Sequence, residues 1–308
     1  MTAVATQLER EAEGRGAATQ REHERQAVAA HYENHPEIFS LVLDRRLAYA
    51  TGIFEAESEE LETAQARKYA WIADQLAIRP GERVLDVGCG WGSNLLYLAE
   101  HTAGSFRGVT LSARQRDEAL ARAQRGGVAD RVQIDVAHIE DVELHPASLD
   151  AVLFVGSIVH MHHRDAVHAK VARALRPGGR LLISDCFFPR QERGDRDSTA
   201  TRYIFETALG YCRLLQLSDE LALLEECGLD VLRVADLTAS YACTLGRWID
   251  NVRAHRDRIE ALSPGFSRVL QVYMTIARLS FQRRTALEYM VVAVKGRPPR
   301  PLSAVVMP

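Results

Sequence analysis

The sequence predicts an α/β fold, a mainly parallel seven-stranded sheet with helices on both faces. Two observations carry this. From residue 83, short β-branched runs alternate with helical patterns, which calls for a parallel sheet covered by its crossover helices. A glycine-rich turn then follows the first of these strands directly and opens a helix, a place where a ligand can approach the backbone.

The elements follow in chain order. Residues 1–30 are polar, with charges throughout and few large apolar side chains. They read as a frayed arm, or as a helix that docks on another subunit and makes a homo-oligomer. Residues 31–78 hold two helices, near 36–45 ("PEIFSLVLDR") and 57–78, the second with acidic residues in its first turns, where the helix dipole favours them. The core, 79–188, has strands at 83–88, 105–111, 131–136, 149–156 and 179–186, with helices at about 92–101, 113–125 and 163–175. "RPGG" at 176–179 stops the last of these helices. Residues 189–228 read as a helical cap, helical over 198–228. Residues 229–298 complete the sheet with a strand at 230–237, helices at 239–260 and 265–283, and a strand at 288–295. Residues 299–308 form a tail.

Composition narrows the function classes. Hydrophobic content of 47% and charged content of 26% over 308 residues suit a globular protein with a sizeable core. A net charge of −3 argues against nucleic acid as partner. No run approaches the roughly 18 apolar residues of a membrane span, and the first thirty residues are too charged for a secretory signal, so the expected location is the cytoplasm. The basic residues are nearly all Arg; only Lys68, Lys170 and Lys295 are Lys. The cysteines, Cys89, Cys186, Cys212, Cys227 and Cys243, are scattered without CxxC spacing, which argues against disulfides and structural zinc.

"RVLDVGCGWGSNLLYLAE" is the most informative stretch. The strand ends at Asp86, glycines at 88, 90 and 92 occupy the turn, and an apolar helix starts at once. Glycines there admit a ligand to the backbone, and the helix start offers unpaired N–H groups. A carboxylate two places before the first glycine would repel a pyrophosphate but suits a cation, such as the amino group of a methionine moiety. The expected cofactor is S-adenosylmethionine, with S-adenosylhomocysteine as its product.

These motifs carry a resemblance. D-x-G-x-G-x-G on the first strand, followed by "GVTLSARQ" on the second, resembles the class I methyltransferases and their Rossmann-like fold. More narrowly, the chain resembles the cyclopropane fatty acid synthase-like branch. "HYENHPEIFSLVLDRRLAYATGIF" (31–54) is similar to that branch's N-terminal cofactor cover, and "ASYACTLGRWIDNVRAHRD" (239–257) to its C-terminal helix motif. The resemblance implies that Asp86, Gly88 and Gly90 line the methionine end and that Tyr49 closes over the sulfonium. It places Thr110, Leu111 and Gln115 at the ribose, and Ala137, His138 and Ile139 at the adenine, with His138 where the family often has an acidic residue.

"SIVHMHHRD" (157–165) packs three histidines and an aspartate. It resembles a zinc signature out of register, with no partner cluster elsewhere, so no metal is expected. His162 and His163 read as solvated residues opening a helix. His160 differs. In cyclopropane synthases the matching segment is Glu-His, and the Glu helps hold a bicarbonate that takes the proton for ring closure. Here Val159 stands at the Glu position, Thr51 replaces the family's Cys, and a further ligand His is replaced around Ser184–Cys186. Of that cradle, Tyr241 persists. The departure points away from ring closure and towards simple methyl transfer to an alkene carbon.

Such attack leaves a carbocation, which favours a dry pocket with aromatic faces. Tyr32, Tyr49, Phe54, Phe187, Phe188, Tyr203, Phe205, Tyr211 and Tyr241 are available. The expected catalytic residues are Tyr241, His160, Tyr49 and Tyr32, and the expected substrate pocket is Thr51, Val159, Phe187, Phe205 and Tyr211. "RQERGDRDSTATR" (190–202) reads as a solvated charged loop rather than a diphosphate site. The sequence thus points to C-methylation of an apolar, isoprenoid or prenylated small molecule in secondary metabolism, with the cation then deprotonated, shifted or cyclised. The prenyl C-methyltransferases of the teleocidin-biosynthesis type, in the same branch, suit this reading. The rivals are O- or N-methylation with His160 as base, cyclopropane synthesis, and a cofactor-binding scaffold without turnover.

Overall fold

The computed structural model describes residues 36–189 and 212–296. Helices α1 (Pro36–Val42) and α2 (Leu61–Leu76) precede β1 (Arg83–Val87), α3 (Ser93–His101), β2 (Ser105–Thr110), α4 (Ala113–Arg125) and β3 (Val132–Val136). Next come β4 (Leu149–Val155), α5 (Arg164–Ala174) and β5 (Leu175–Phe187). After the cap region follow α6 (Leu217–Glu226), β6 (Leu229–Asp236), α7 (Thr238–Ala254), α8 (Arg256–Leu262), α9 (Phe266–Gln282) and β7 (Leu287–Lys295).

The strands form one sheet in the order β3-β2-β1-β4-β5-β7-β6. The first five are parallel, and β7 runs antiparallel to both β5 and β6. Every residue of β4, "LDAVLFV", is buried, as a central strand covered on both faces requires. Alternation sorts the side chains. Val84, Ala151, Leu153, Leu182, Met290 and Val292 pack with α2, α3 and α4 on one face. Leu85, Val152, Phe154, Leu181, Ile183 and Val291 pack with α5 and α6 on the other. Asp86, Ser184, Cys186 and Glu288 continue the first set towards the carboxyl ends of the strands. The order reverses between β1 and β4, the place where open α/β sheets leave a crevice for ligands.

A third apolar cluster joins α1, α7, α8 and α9, and reaches the glycine turn through Trp91. The loop between α1 and α2 lies over that turn and is tied down on two sides. Gln65 on α2 donates to the Ala50 carbonyl (2.9 Å). On α7, the Thr244 and Ser240 hydroxyls accept the N–H groups of Gly52 (3.0 Å) and Phe54 (3.1 Å), and Asn251 donates to the Val42 carbonyl (2.8 Å). The two segments that resemble family motifs, 31–54 and 239–257, therefore clasp each other where both are described.

Several boundaries differ from expectation. The helix expected over 57–78 begins only at Leu61, because the Glu59 carboxylate takes the Glu55 N–H (2.7 Å) and Arg67 (2.7 Å) and holds a turn instead. The helix expected over 239–260 is two helices. His255 leaves helical dihedrals (φ −109, ψ 18) and its ring nitrogen turns back to the Asn251 carbonyl. "RPGG" lies inside β5, with a register shift between Leu149 and Ala151 taking up the irregularity. In the cap, residues 212–216 are not helical: the Arg213 N–H bonds the Val159 carbonyl (2.7 Å), and α6 starts at Leu217. The rest of the expected cap helix, the arm and the tail lie outside the described residues.

Candidate active site

The glycine turn is built for close approach. Gly88, Gly90 and Gly92 all have positive φ (75, 54 and 77). A Cβ on Gly88 would fall 2.4 Å from that of Ser157, whose hydroxyl donates to the Val87 carbonyl (2.6 Å). Only glycine fits there. Asp86, just before the turn, is 1% exposed, and neither carboxylate oxygen completes a hydrogen bond among the described residues. Burial pushes its pKa up to about 7, against the pull of Lys68 and of the Leu95 amide at the start of α3. A bare buried carboxylate is a receptor for a cationic group.

Two cavities flank the turn and share Gly88, Gly90, Gln115 and Gly156. One is lined by Thr110, Leu111, Gln115, Ala137, His138 and Ile139, so the residues expected at the ribose and adenine surround one space. Thr110 donates to Gln115 (2.7 Å), the Ala137 N–H bonds the Thr110 carbonyl (3.0 Å), and the His138 ring accepts the Glu140 N–H (3.3 Å). The second cavity is lined by Tyr49, Ala50, Lys68, Trp91, Ser93 and Asn94, under the clasped loop.

The three histidines separate. His160 lines the first cavity beside Met161. His163 caps α5 with its ring 3.4 Å from Glu140, and the His162 ring meets it edge-on at 4.8 Å. Among the described residues no group of three His, Cys, Asp or Glu is arranged to hold a metal.

Of the expected aromatic residues, Tyr49 lines the second cavity, and Tyr241 is linked to it through Trp248. Tyr49 lies 5.2 Å from Trp248, which Tyr241 meets edge-on at 6.2 Å. The Tyr241 phenol is held well above its ordinary pKa, by burial first and then by Tyr273, Cys186, Glu288 and Tyr49. Thr51 and Val159 are buried; the Thr51 hydroxyl donates to the Gly52 carbonyl (2.9 Å), and the Val159 N–H bonds Asp185 (3.3 Å). Phe187 is set apart. It falls on the opposite alternation of β5 from Ser184 and Cys186 and packs against Tyr289 at 6.0 Å. Tyr32, Phe205 and Tyr211, expected in the site, lie outside the described residues.

Two site residues were missed by sequence reasoning. Lys68 lines the second cavity, and its pKa is lowered to about 8 by burial. Glu288 is 3% exposed and accepts from the Ser184 hydroxyl (3.0 Å) and the Cys186 thiol (3.3 Å). Burial, then Asp185, raises it to about 8. Because β7 is antiparallel, its first residues lie at the carboxyl ends of the other strands, on the Asp86 face. A signal existed for both: Lys68 interrupts the apolar stripe of α2, and Glu288 interrupts "LEYMVVAV".

A parallel sheet with a glycine turn, an acidic strand end and cavities on both sides defines the class of S-adenosylmethionine-dependent methyltransferases. Residues 19–289 match the family described as mycolic acid cyclopropane synthetase, and the chain belongs to it. A probable fatty acid methyltransferase of Mycobacterium tuberculosis is 29% identical over 286 residues, 89% of this chain and 63% of the relative, so the chain spans a little under two thirds of that protein. The 27-O-demethylrifamycin SV methyltransferase of Amycolatopsis mediterranei is 32% identical over 188 residues, 61% of this chain and 68% of that protein. The crystal structure of mycolic acid cyclopropane synthase CmaA1 complexed with SAH and CTAB superposes with a TM-score of 0.79 at 25% identity, over 88% of this chain and 98% of that one. The cofactor is S-adenosylmethionine, and the residues present fit it: Asp86, which no side chain pairs among the described residues, and the amides opening α3 suit its charged end, and the Thr110–Ile139 cavity suits its nucleoside.

Proposed function

We propose that this enzyme methylates an alkene carbon of an apolar, isoprenoid or prenylated, small molecule. The observation that carries this is the carboxyl of Glu288, held by Ser184 and Cys186 and within electrostatic reach of Tyr241. The family resemblance puts a histidine ligand for bicarbonate around Ser184–Cys186. Here an internal carboxyl occupies that neighbourhood, and Val159 replaces the acidic ligand. Without the family's histidine and acidic ligands a bicarbonate would be poorly held there, whereas the carboxyl, once ionised, would stabilise a carbocation.

When bound, the cofactor supplies a methyl group on a sulfonium, already activated as an electrophile. The chain's own residues align and protect. The loop of Tyr49, clasped by α7, keeps water out. The faces of Tyr49 and Tyr241 stabilise positive charge by about 0.5–2 kcal/mol each. In its ionised form, which forms as pH rises through about 8, Glu288 accepts the proton that the cation loses. Glu288→Gln is therefore expected to slow turnover by about 10²–10⁴-fold while leaving S-adenosylhomocysteine affinity close to that of the parent protein.

A second reading, cyclopropane formation, is supported by the family match itself. Cofactor with a fully deuterated methyl group, incubated with prenylated and other alkene-bearing metabolites, separates the two by product mass and NMR. Three deuteriums on a new carbon-bound methyl support C-methylation. Loss of one deuterium into a ring methylene would overturn it in favour of cyclopropanation, and a methyl on oxygen or nitrogen would move the assignment to heteroatom transfer.

A further inference from the structure

The buried stripe of α2 carries a charge that the proposed chemistry does not use. Lys68 is 0% exposed, and its ammonium, 4.6 Å from the centroid of the Tyr69 ring, completes no hydrogen bond among the described residues. Three carboxylates feel it at longer range: Asp44, Glu288 and Asp86. Two of them are engaged elsewhere. Asp44 accepts the Ala48 N–H (2.6 Å) and the Tyr69 hydroxyl (3.0 Å), and Glu288 accepts from Ser184 and Cys186. A buried ammonium is costly unless it is paired and hydrogen-bonded. Its three donors are unmet among the described residues, which points to a ligand.

The surroundings say which ligand. Lys68 lines the cavity that also holds Gly88, Gly90, Ser93 and Asn94. Ser93 and Asn94 open α3, where the first amides have no intrahelical acceptor and the helix dipole is positive. A cation and free amides on one wall make a carboxylate site. Asp86, buried beside the Leu95 amide with no side-chain donor among the described residues, lies two residues before Gly88 and offers the opposite charge when ionised. Together they suit a zwitterion.

We propose that Lys68 is the counter-ion of the carboxylate at the methionine end of the cofactor, and that with Asp86 it makes this subsite selective for an α-amino acid head group. The inference rests on the cofactor assignment and is independent of the substrate proposed above.

Calorimetric titration with S-adenosylhomocysteine and with its decarboxylated analogue, the adenosyl thiopropylamine, tests this. The parent protein is expected to bind S-adenosylhomocysteine about 10- to 100-fold more tightly than the analogue. In Lys68→Met that preference disappears through weaker S-adenosylhomocysteine binding, while the analogue binds as before; Lys68→Arg restores part of it. A Lys68→Met protein that keeps the preference, or that loses both ligands equally, would overturn the proposal. Should the Met variant not fold, the unaltered protein still decides. At pH 8.5, S-adenosylhomocysteine should take up more protons on binding than the analogue does, read from titrations in buffers of different ionisation heat. Asp44, Tyr69, Asp86 and Glu288 face Lys68 in both titrations, so the difference reports the cofactor's carboxylate, and equal uptake rejects its pairing with Lys68. If neither ligand binds the unaltered protein, the cofactor assignment fails and this inference with it.

Discussion

Asp86 shows what a binding site costs at the scale of one residue. Its pKa is raised to about 7 from an ordinary 3.8, chiefly by burial. The folded protein therefore holds this proton where the unfolded chain has lost it. The associated stability is full below the unfolded value and is lost as pH rises through about 7. Asp86→Asn is expected to raise the melting temperature of the ligand-free protein at pH 8 by several degrees, corresponding to a few kcal/mol, and to gain less towards pH 4. The same variant should lose S-adenosylhomocysteine affinity, read by calorimetry. His160 makes a second test. It lines the Thr110–Ile139 cavity, so His160→Ala is expected to raise the KM for the cofactor with little change in kcat. A kcat loss of about 10²–10⁴-fold would instead mark it as a general base and favour heteroatom methylation. Asp86 and the glycines are legible in sequence because the motif is contiguous. Lys68 and Glu288 are not, because their roles depend on partners far along the chain.

Among the elements, α5 and α6 are joined by a buried ion network. Glu220 on α6 is 0% exposed and takes Arg164 (2.8 Å) and His168 (2.7 Å) from α5. Arg164 also donates to the Arg213 carbonyl, so one buried network ties the described end of the cap to α5. Glu220→Gln leaves a buried guanidinium without its counter-charge and is expected to destabilise the fold by about 3–5 kcal/mol in urea unfolding. The alternation of strands and helices was readable because apolar spacing sets each element's burial. The ends of elements were not. Where α2 starts depends on Arg67 reaching Glu59, and where α7 ends depends on His255, contacts that periodicity does not encode.

At the scale of the molecule, the site lies where the strand order reverses, between β1 and β4, and is closed by the α1–α2 loop and α7. Among the described residues, those lining its two flanking cavities lie at Leu47 or later. Removing residues 1–30 separates the two readings of the arm by calorimetry and light scattering: a frayed arm leaves cofactor affinity and mass in solution unchanged. A drop in mass would make the arm a contact between subunits. Among the described residues no helix is long and apolar enough to cross a membrane.

The sequence by itself determined the α/β class and the strand series through apolar periodicity, pointed to the cofactor through three glycines in a turn and an acidic residue two places before them, and gave the family through the resemblance of contiguous motifs. Tertiary structure alone decided which face each strand residue serves. It set Phe187 apart from Ser184 and Cys186, brought Glu288 from the last strand to meet them, and put Lys68 in the cavity beside the glycine turn. The reason is physical. A buried charge is tolerated only through partners that compensate it, and those partners come from other elements, more than a hundred residues away for Glu288, which pairing and packing bring together.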